Sequence, residues 1–173
     1  MMLLVYKDSK DELYEYLPSI HDLFGMNFEK HSFFTKIRFL IELVIWGGYK
    51  VYYLKQNGVY VASCIVSYGK NKRYFFAETE DIIVGPYFVL PTYRGKGISE
   101  QILRLVLNYT SIPYVSAWDY ISNDNIPSIR ASERVGFKKE MNIRISEISH
   151  RMKQNESGKY AVYKFLKGDR NYV

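Results

Sequence analysis

The chain has 173 residues, of which 47% are hydrophobic, 17% aromatic and 24% charged, and it carries a formal net charge of +6. This composition excludes a disordered chain, and the length argues against a two-domain enzyme, so one packed domain over residues 1–173 is the expectation. The lone Cys64 excludes an intramolecular disulfide framework, and with only His21, His31 and His150 scattered beside it no metal-ligand spacing exists and no metal is expected.

The opening Met2–Lys7 reads as a short strand with neither the basic flank nor the length of a secretion signal, so a reducing cytoplasmic location is expected. Asp8-Ser9 followed by Lys10-Asp11-Glu12 resembles a helix start and predicts a helix ending near Pro18. A second helix is predicted from Ser32 to Trp46, with Phe33, Ile37, Leu40, Ile41 and Val44 at helical spacing and Gly47-Gly48 as its stop. Arg38 and Glu42 interrupt it, so it is no membrane span, and no membrane partner is expected. Two β-rich runs, Tyr49–Gln56 and Val59–Tyr68, flank Asn57-Gly58, the dipeptide best suited to a two-residue type I′ hairpin turn. The second run is apolar on both faces and so predicts a central strand, with Cys64 as buried filler.

Ile82–Val89 predicts another strand, disturbed at Gly85-Pro86 because proline cannot donate a ladder hydrogen bond. A helix follows from about Lys96 to Tyr109, on whose one face Ile98, Ile102, Leu105, Val106 and Tyr109 form an apolar stripe. Val115–Tyr120 predicts a strand, Ile126–Val135 a helix ended by Gly136, and Phe137–Ile145 a strand. The charged stretch 147–158 predicts a loop before a last strand, Tyr160–Leu166. The positive charge makes an anion a natural partner, but the basic residues are dispersed without an arginine-rich run, so nucleic acid is an unlikely one.

Two motifs carry chemistry. In Val89-Leu90-Pro91-Thr92-Tyr93-Arg94-Gly95-Lys96-Gly97-Ile98-Ser99 a strand exit becomes a basic, glycine-bearing helix start. The unpaired amides and positive dipole of such a helix end suit a pyrophosphate, with Arg94 and Lys96 adding charge. The tract fails Walker A, because Gly97 follows Lys96, and fails the dinucleotide fingerprint, because Glu100 stands at the third glycine. It meets Arg/Gln-x-x-Gly-x-Gly/Ala except at Ser99. About thirty residues on, Asn125 to Phe137 begins with a capping Asn, carries Pro127 in its first turn, and presents Ser128, Ala131, Ser132 and Val135 as a narrow face of mostly small residues.

In this order and spacing the two motifs resemble motifs A and B of the GNAT acyltransferase superfamily. The resemblance implies a mixed α/β (α+β) three-layer fold: a mainly antiparallel seven-stranded sheet, helices on both faces, and a central parallel pair, Ile82–Val89 beside Val115–Tyr120, splayed at one end. It implies acetyl-CoA as acyl donor, held by Arg94, Gly95, Lys96, Gly97, Ile98, Ser99 and Asn125, with the backbone N–H of Val89 as oxyanion donor. It also implies direct attack of an amine on the thioester, which calls for a proton acceptor; Glu80, then Asp81, are the candidates, with Glu78 beside them. Ser132 stands where many members carry the Tyr that protonates the departing thiolate, so water, Ser132 itself or Tyr120 is left to serve. Asp119 is a candidate anchor for the acceptor's ammonium, with Trp118 and Tyr120 lining the pocket. The aromatic-rich segment before motif A, including Gly25-Met26-Asn27-Phe28, is the expected acceptor wall, and a small-molecule primary amine is the favoured acceptor over a protein N-terminus or lysine. The rival readings are a GNAT-like domain that binds without catalysing and a nucleic-acid-binding or protein-binding module; a homodimer is compatible with any of them.

Overall fold

The computed structural model describes residues 1–26, 28, 31–146 and 150–168. Among the described residues nine strands and three α-helices follow the order β1 (Met2–Lys7), β2 (Asp11–Tyr16), α1 (Phe33–Ile45), β3 (Tyr49–Gln56), β4 (Val59–Tyr68), β5 (Ile82–Val89), α2 (Ile98–Tyr109), β6 (Ser116–Ser122), α3 (Ile126–Val135), β7 (Lys138–Ile145), β8 (Met152–Gln154) and β9 (Tyr160–Leu166). All strands form one sheet in the order β1-β2-β3-β4-β5-β6-β9-β7-β8, antiparallel except for the β5–β6 pair.

The β3–β4 hairpin turns at Asn57-Gly58 as expected: both residues have positive φ (47° and 83°), as a type I′ turn requires. β4 lies between β3 and β5, and its Val61, Ala62, Cys64, Ile65 and Val66 are buried. Cys64 is accordingly core filler, its thiol pushed well up by burial. One face of the sheet packs against α2 and α3 through Ile98, Ile102, Leu103, Val106, Ala131 and Val135. On the other face Phe39 of α1 joins Phe24, Tyr49, Val51 and Tyr53, and farther along Tyr74, Phe76 and Trp118 form a second aromatic cluster. α1 is capped by Ser32, whose Oγ accepts from the Thr35 amide, and it turns Phe33, Phe34, Val44 and Ile45 to solvent.

Two expectations are corrected. Residues 11–16 form a strand, not a helix. The Asp8 carboxylate accepts from the Lys10 and Asp11 amides (2.8 and 2.7 Å), and this side chain makes a tight turn that sends the chain back along β1 rather than capping a helix. β2 then pairs with β3 from Asp11↔Gln56 to Tyr16↔Val51, burying Leu13 on one face and Tyr16 on the other. The sheet therefore has nine strands instead of seven; the second addition is β8, where buried Met152 pairs with Ile145 within the stretch expected to be loop.

Three features of β5 position the site. First, its parallel pairing with β6 is confined to Ile82↔Ala117 and Ile83↔Trp118, after which the two strands diverge. Second, β5 carries a bulge: Cys64 opposes Tyr87 and Val66 opposes Val84, so Gly85-Pro86 stand against one residue of β4. The extra residue inverts the strand's alternation, and Val84 before it and Tyr87 and Val89 after it all face α2 and α3. Third, Leu90 N–H donates to Val61 C=O (3.0 Å), so the alternation of the ladder turns the Val89 N–H away from β4, toward the side β6 has left.

Candidate active site

β5 ends in a single 3-10 turn, Pro91–Tyr93, and the chain reaches α2 through Gly95 and Gly97, both left-handed (φ 75° and 77°). A Cβ built at either glycine meets nothing within 4 Å, so both face open space. Gly97 is the N-cap of α2 and offers no side chain to the first-turn amides, which leaves those donors and the positive end of a twelve-residue helix turned toward that space. Asn125 caps α3, its Oδ1 accepting from the Ser128 amide (3.4 Å), and Pro127 sits in the first turn.

Between the two helix starts lies a cleft of about 700 Å³, lined by Tyr87, Phe88 and Val89 at its inner end and by Arg94, Gly95, Gly97, Ile98, Ser99, Asn125 and Arg130 among others. That is the size of a pocket that encloses a whole nucleotide-sized ligand. Arg94 Nε donates to Val89 C=O (3.1 Å) and its guanidinium lies over the Phe88 ring, while the Lys96 ammonium lies 5.2 Å from the Tyr93 ring centre. Arg130 and Arg134, one helical turn apart on α3, add two further cations to the walls. A glycine-rich helix N-terminus with uncapped amides, flanked by arginines and open to a long cleft, fits a pyrophosphate, so the donor set suits acetyl-CoA. The structure thus brings together Val89, Arg94, Gly95, Gly97, Ile98, Ser99 and Asn125; Lys96 stands exposed between the two glycines.

It does not bring the expected acids to this place. Glu80 and Asp81 precede β5, whose far end is Val89, roughly 25 Å away at ~3.3 Å per residue. Glu80 is exposed, and its C=O accepts from the Val115 amide. The buried Asp81 carboxylate is filled by the Ser116 amide (3.0 Å), Trp118 Nε1 (2.8 Å) and the Glu78 amide (3.0 Å), which fasten the start of β5 to β6. Trp118 and Tyr120 face the aromatic cluster with Tyr74 and Phe76, whereas Asp119 points through the opposite face of β6. Asp119 is only 3% exposed, so it is no open anchor for an ammonium. Ser132 is fully buried and donates to Asp119 Oδ2 (2.9 Å), one layer behind the cleft wall.

The residues that sequence reasoning missed are Tyr87, Phe88 and His31. Tyr87 donates to Ser128 C=O (3.2 Å) and lines the inner end of the cleft. Phe88 lines the same cleft and also a narrow aromatic hollow on the α1 side, together with Phe24, Met26, Phe28, His31, Tyr53 and Pro86. The hollow has about 20 Å³ of free space, room for about one water molecule. His31 stacks on Phe24 with ring centres 3.7 Å apart, and burial, with Lys36 and Arg38 nearby, holds its pKa below the usual 6.5, so the imidazole is neutral at neutral pH. Of the segment expected to form an acceptor wall, Gly25, Met26 and Phe28 are described and Asn27 lies outside the described residues.

Among the described residues no helix is long and apolar enough to cross a membrane, and no cluster of His, Cys, Asp and Glu could hold a metal. No curated protein sequence matches the chain significantly. Many solved structures share the fold. One is a spermidine N-acetyltransferase chimera from Vibrio cholerae (12% identity, 90% of this chain and 95% of that one, TM-score 0.57). Another is the microcin C7 self-immunity acetyltransferase in complex with acetyl-CoA and AMP (13% identity, 92% and 93% coverage, TM-score 0.57). A third is the Vibrio cholerae spermidine N-acetyltransferase with CoA and spermine (12% identity, 80% and 78% coverage, TM-score 0.54). The family model described as the acetyltransferase (GNAT) family matches residues 13–137, a span that takes in both the cradle at Arg94–Ser99 and the whole of α3. With that match, the fold and the cleft in agreement, the chain belongs to the GNAT family of acetyl-CoA-dependent acetyltransferases.

Proposed function

We propose that this enzyme transfers the acetyl group of acetyl-CoA, held between α2 and α3, to the primary amine of a small molecule that approaches from the α1 side of the sheet. Acetyl-CoA would supply the activated acyl carbon; the first-turn amides of α2, Arg94 and Asn125 would hold its phosphates and pantetheine arm, and the Val89 N–H would meet the developing oxyanion. The observation that carries the reading is Phe88, which borders the cleft on one side and the aromatic hollow on the other. Donor and acceptor thus meet at the splayed end of β5, beside Val89. The hollow is scaled to the tip of a slender amine, and its aromatic walls suit the aliphatic or ring carbons behind it.

An alkyl amine is mostly protonated at neutral pH, so attack needs a proton acceptor. His31 is neutral there and lines the hollow, whereas Glu80 and Asp81 lie at the other end of β5. We therefore assign proton acceptance to His31, acting directly on the amine. Purified protein with acetyl-CoA and a panel of polyamines, amino sugars, amino acids and peptides, read by thiol release, tests the reading. Turnover with small amines is expected. Turnover only with peptides would move the acceptor to a protein N-terminus or lysine, and CoA binding with no turnover on any amine would leave a binding domain.

A further inference from the structure

Behind the inner end of the cleft runs a line of three polar side chains from three elements. Tyr87 of β5 faces α3 because the Gly85-Pro86 bulge inverts the strand's alternation. Its Oη lies 3.5 Å from Ser132 Oγ of α3, and Ser132 Oγ donates to Asp119 Oδ2 of β6 at 2.9 Å. Ser132 and Asp119 are sealed from solvent at 0% and 3% exposure, while Tyr87 lines the cleft. The line therefore opens at the phenol and nowhere else along it.

A phenol from β5 thus reaches the wall of α3 at the level where that helix carries only a serine. We propose that Tyr87, whose O–H rests on the Ser128 C=O (3.2 Å), turns to donate to the sulfur that leaves the acyl group, with Ser132 and Asp119 behind it as positioning residues. The proposal rests on the acetyl-CoA reading above. As the carbon–sulfur bond breaks and sulfur keeps the electron pair, Tyr87 Oη gives its proton to the sulfur. Ser132 Oγ returns a proton to Tyr87, and the Asp119 carboxyl returns one to Ser132 and becomes the carboxylate. The proton lost by the amine leaves on the acceptor side, and water refills the line through Tyr87 once the cleft empties.

The surroundings suit these roles. Burial raises the Asp119 carboxyl to about 7, with Ser132 opposing the rise, so its protonated form persists near neutrality. The groups facing it are the Cys64 thiol of β4, the Tyr87 phenol of β5, Ser132 of α3 and the Tyr163 phenol of β9; none is a cation that would hold it ionised. Gly85 leaves room for the carboxyl, since a Cβ there would stand 3.3 Å from Asp119 Oδ1. Burial, and then Asp119, push the Tyr87 phenol above its ordinary range, so it carries its proton at every working pH. With Asp119 protonated each hydroxyl can donate toward the cleft; with Asp119 ionised Ser132 donates inward and offers the Tyr87 O–H only a neutral oxygen, over which a charged thiolate in the cleft is the stronger acceptor.

The test needs no acceptor. Affinities of CoA and desulfo-CoA are measured by calorimetry between about pH 6.5 and about pH 9.5, across the ordinary thiol pKa of ~8.5. If Tyr87 donates to the sulfur, the preference of the wild-type protein for CoA over desulfo-CoA grows about tenfold as the thiolate forms, the usual strength of a hydrogen bond to a charged group. Tyr87→Phe, which keeps the ring and its packing, should bind desulfo-CoA as before and show a flat preference. Ser132→Ala should bind desulfo-CoA normally and show a larger pH-dependent gain, because above about pH 7 the serine it removes competes with the sulfur for the Tyr87 O–H. Equal growth of the preference in wild type and Tyr87→Phe would overturn the proposal, as would a flat profile in the wild type. Failure of the wild type to bind either ligand is a different result and would overturn the acetyl-CoA reading beneath it.

Discussion

Ile83 pairs with Trp118 in parallel, and beyond that pair β5 and β6 share no further register. The gap is closed at its base by Asp81, which ties β5 to the Ser116 amide and Trp118 Nε1 of β6, and at its mouth the bulge carries Tyr87 and Val89 toward α3. A cofactor cleft on one face and an aromatic hollow on the other both end at this opening.

His31→Gln should lower kcat on the best amine about a hundredfold, the lower range of a general base's contribution, with little change in acetyl-CoA affinity. Because burial, Lys36 and Arg38 hold the imidazole pKa below 6.5, the acid limb of the wild-type pH–rate profile should have its midpoint below that value. The variant should lose that limb. A pH–rate series on both proteins checks it; an unchanged limb would remove His31 from the chemistry.

Glu42 of α1 is buried beside Asn71, and desolvation raises its pKa from 4.5 to about 6 against the opposing Asn71 hydrogen bond, Arg73 and Arg38. The folded protein therefore holds this proton more tightly than the unfolded chain, and stability falls as pH rises from 4.5 to about 6. Glu42→Gln keeps the shape without the charge. It should raise stability at pH 8 by about 1–2 kcal/mol relative to its effect at pH 4. Thermal unfolding of both proteins at the two pH values measures this; a parallel shift at both would contradict it.

Glu15 of β2 has the opposite sign. Burial alone would raise its pKa, but Lys50 (2.7 Å), Ser111 and Tyr52 (2.6 Å) together bring it below 4.5. Its contribution is present above the unfolded pKa and is lost as pH falls through the lower folded value. Glu15→Ala removes the carboxylate that pairs with Lys50 and accepts from Tyr52, leaving them only the neutral Ser111 and Thr110 hydroxyls, and should cost about 3 kcal/mol at pH 7, the low end for breaking a buried pair. Denaturant unfolding at pH 7 and pH 3 checks it, with a smaller difference expected at the lower pH.

Local signals in the sequence were enough for several elements. Asn57-Gly58 locates the central hairpin, Asn125, Pro127 and Gly136 bound α3, and Gly95 and Gly97 mark the cradle, because each acts within a few residues of itself. β2 was not legible: Asp8-Ser9 and the acids after it serve a turn as well as a helix cap, and the choice is made by pairing with β3. The candidate acids were misplaced for a related reason. Closeness to motif A in sequence does not say which end of β5 a residue occupies, and Glu80 and Asp81 occupy the closed end. Tyr87 was missed because a regular strand would turn it to the α1 side, and only the bulge at Gly85-Pro86 brings it to α3. His31 lines the same hollow as Phe88, fifty-seven residues away in sequence, a tertiary relation that no short pattern encodes.

The central claim is that acetyl-CoA occupies the cleft at the glycine-bearing start of α2. Gly97→Val places a branched side chain in open space before the first-turn amides at a φ of 77°, at a backbone cost of ~1–2 kcal/mol that the fold should survive. Calorimetric titration of acetyl-CoA into wild type and Gly97→Val, with unfolding curves confirming that both are folded, measures the claim directly. The account predicts clear saturable binding to the wild type and a loss of at least about a hundredfold in the variant, the equivalent of two or more hydrogen bonds to a charged phosphate. Equal affinities, or no binding to the folded wild type, would contradict it.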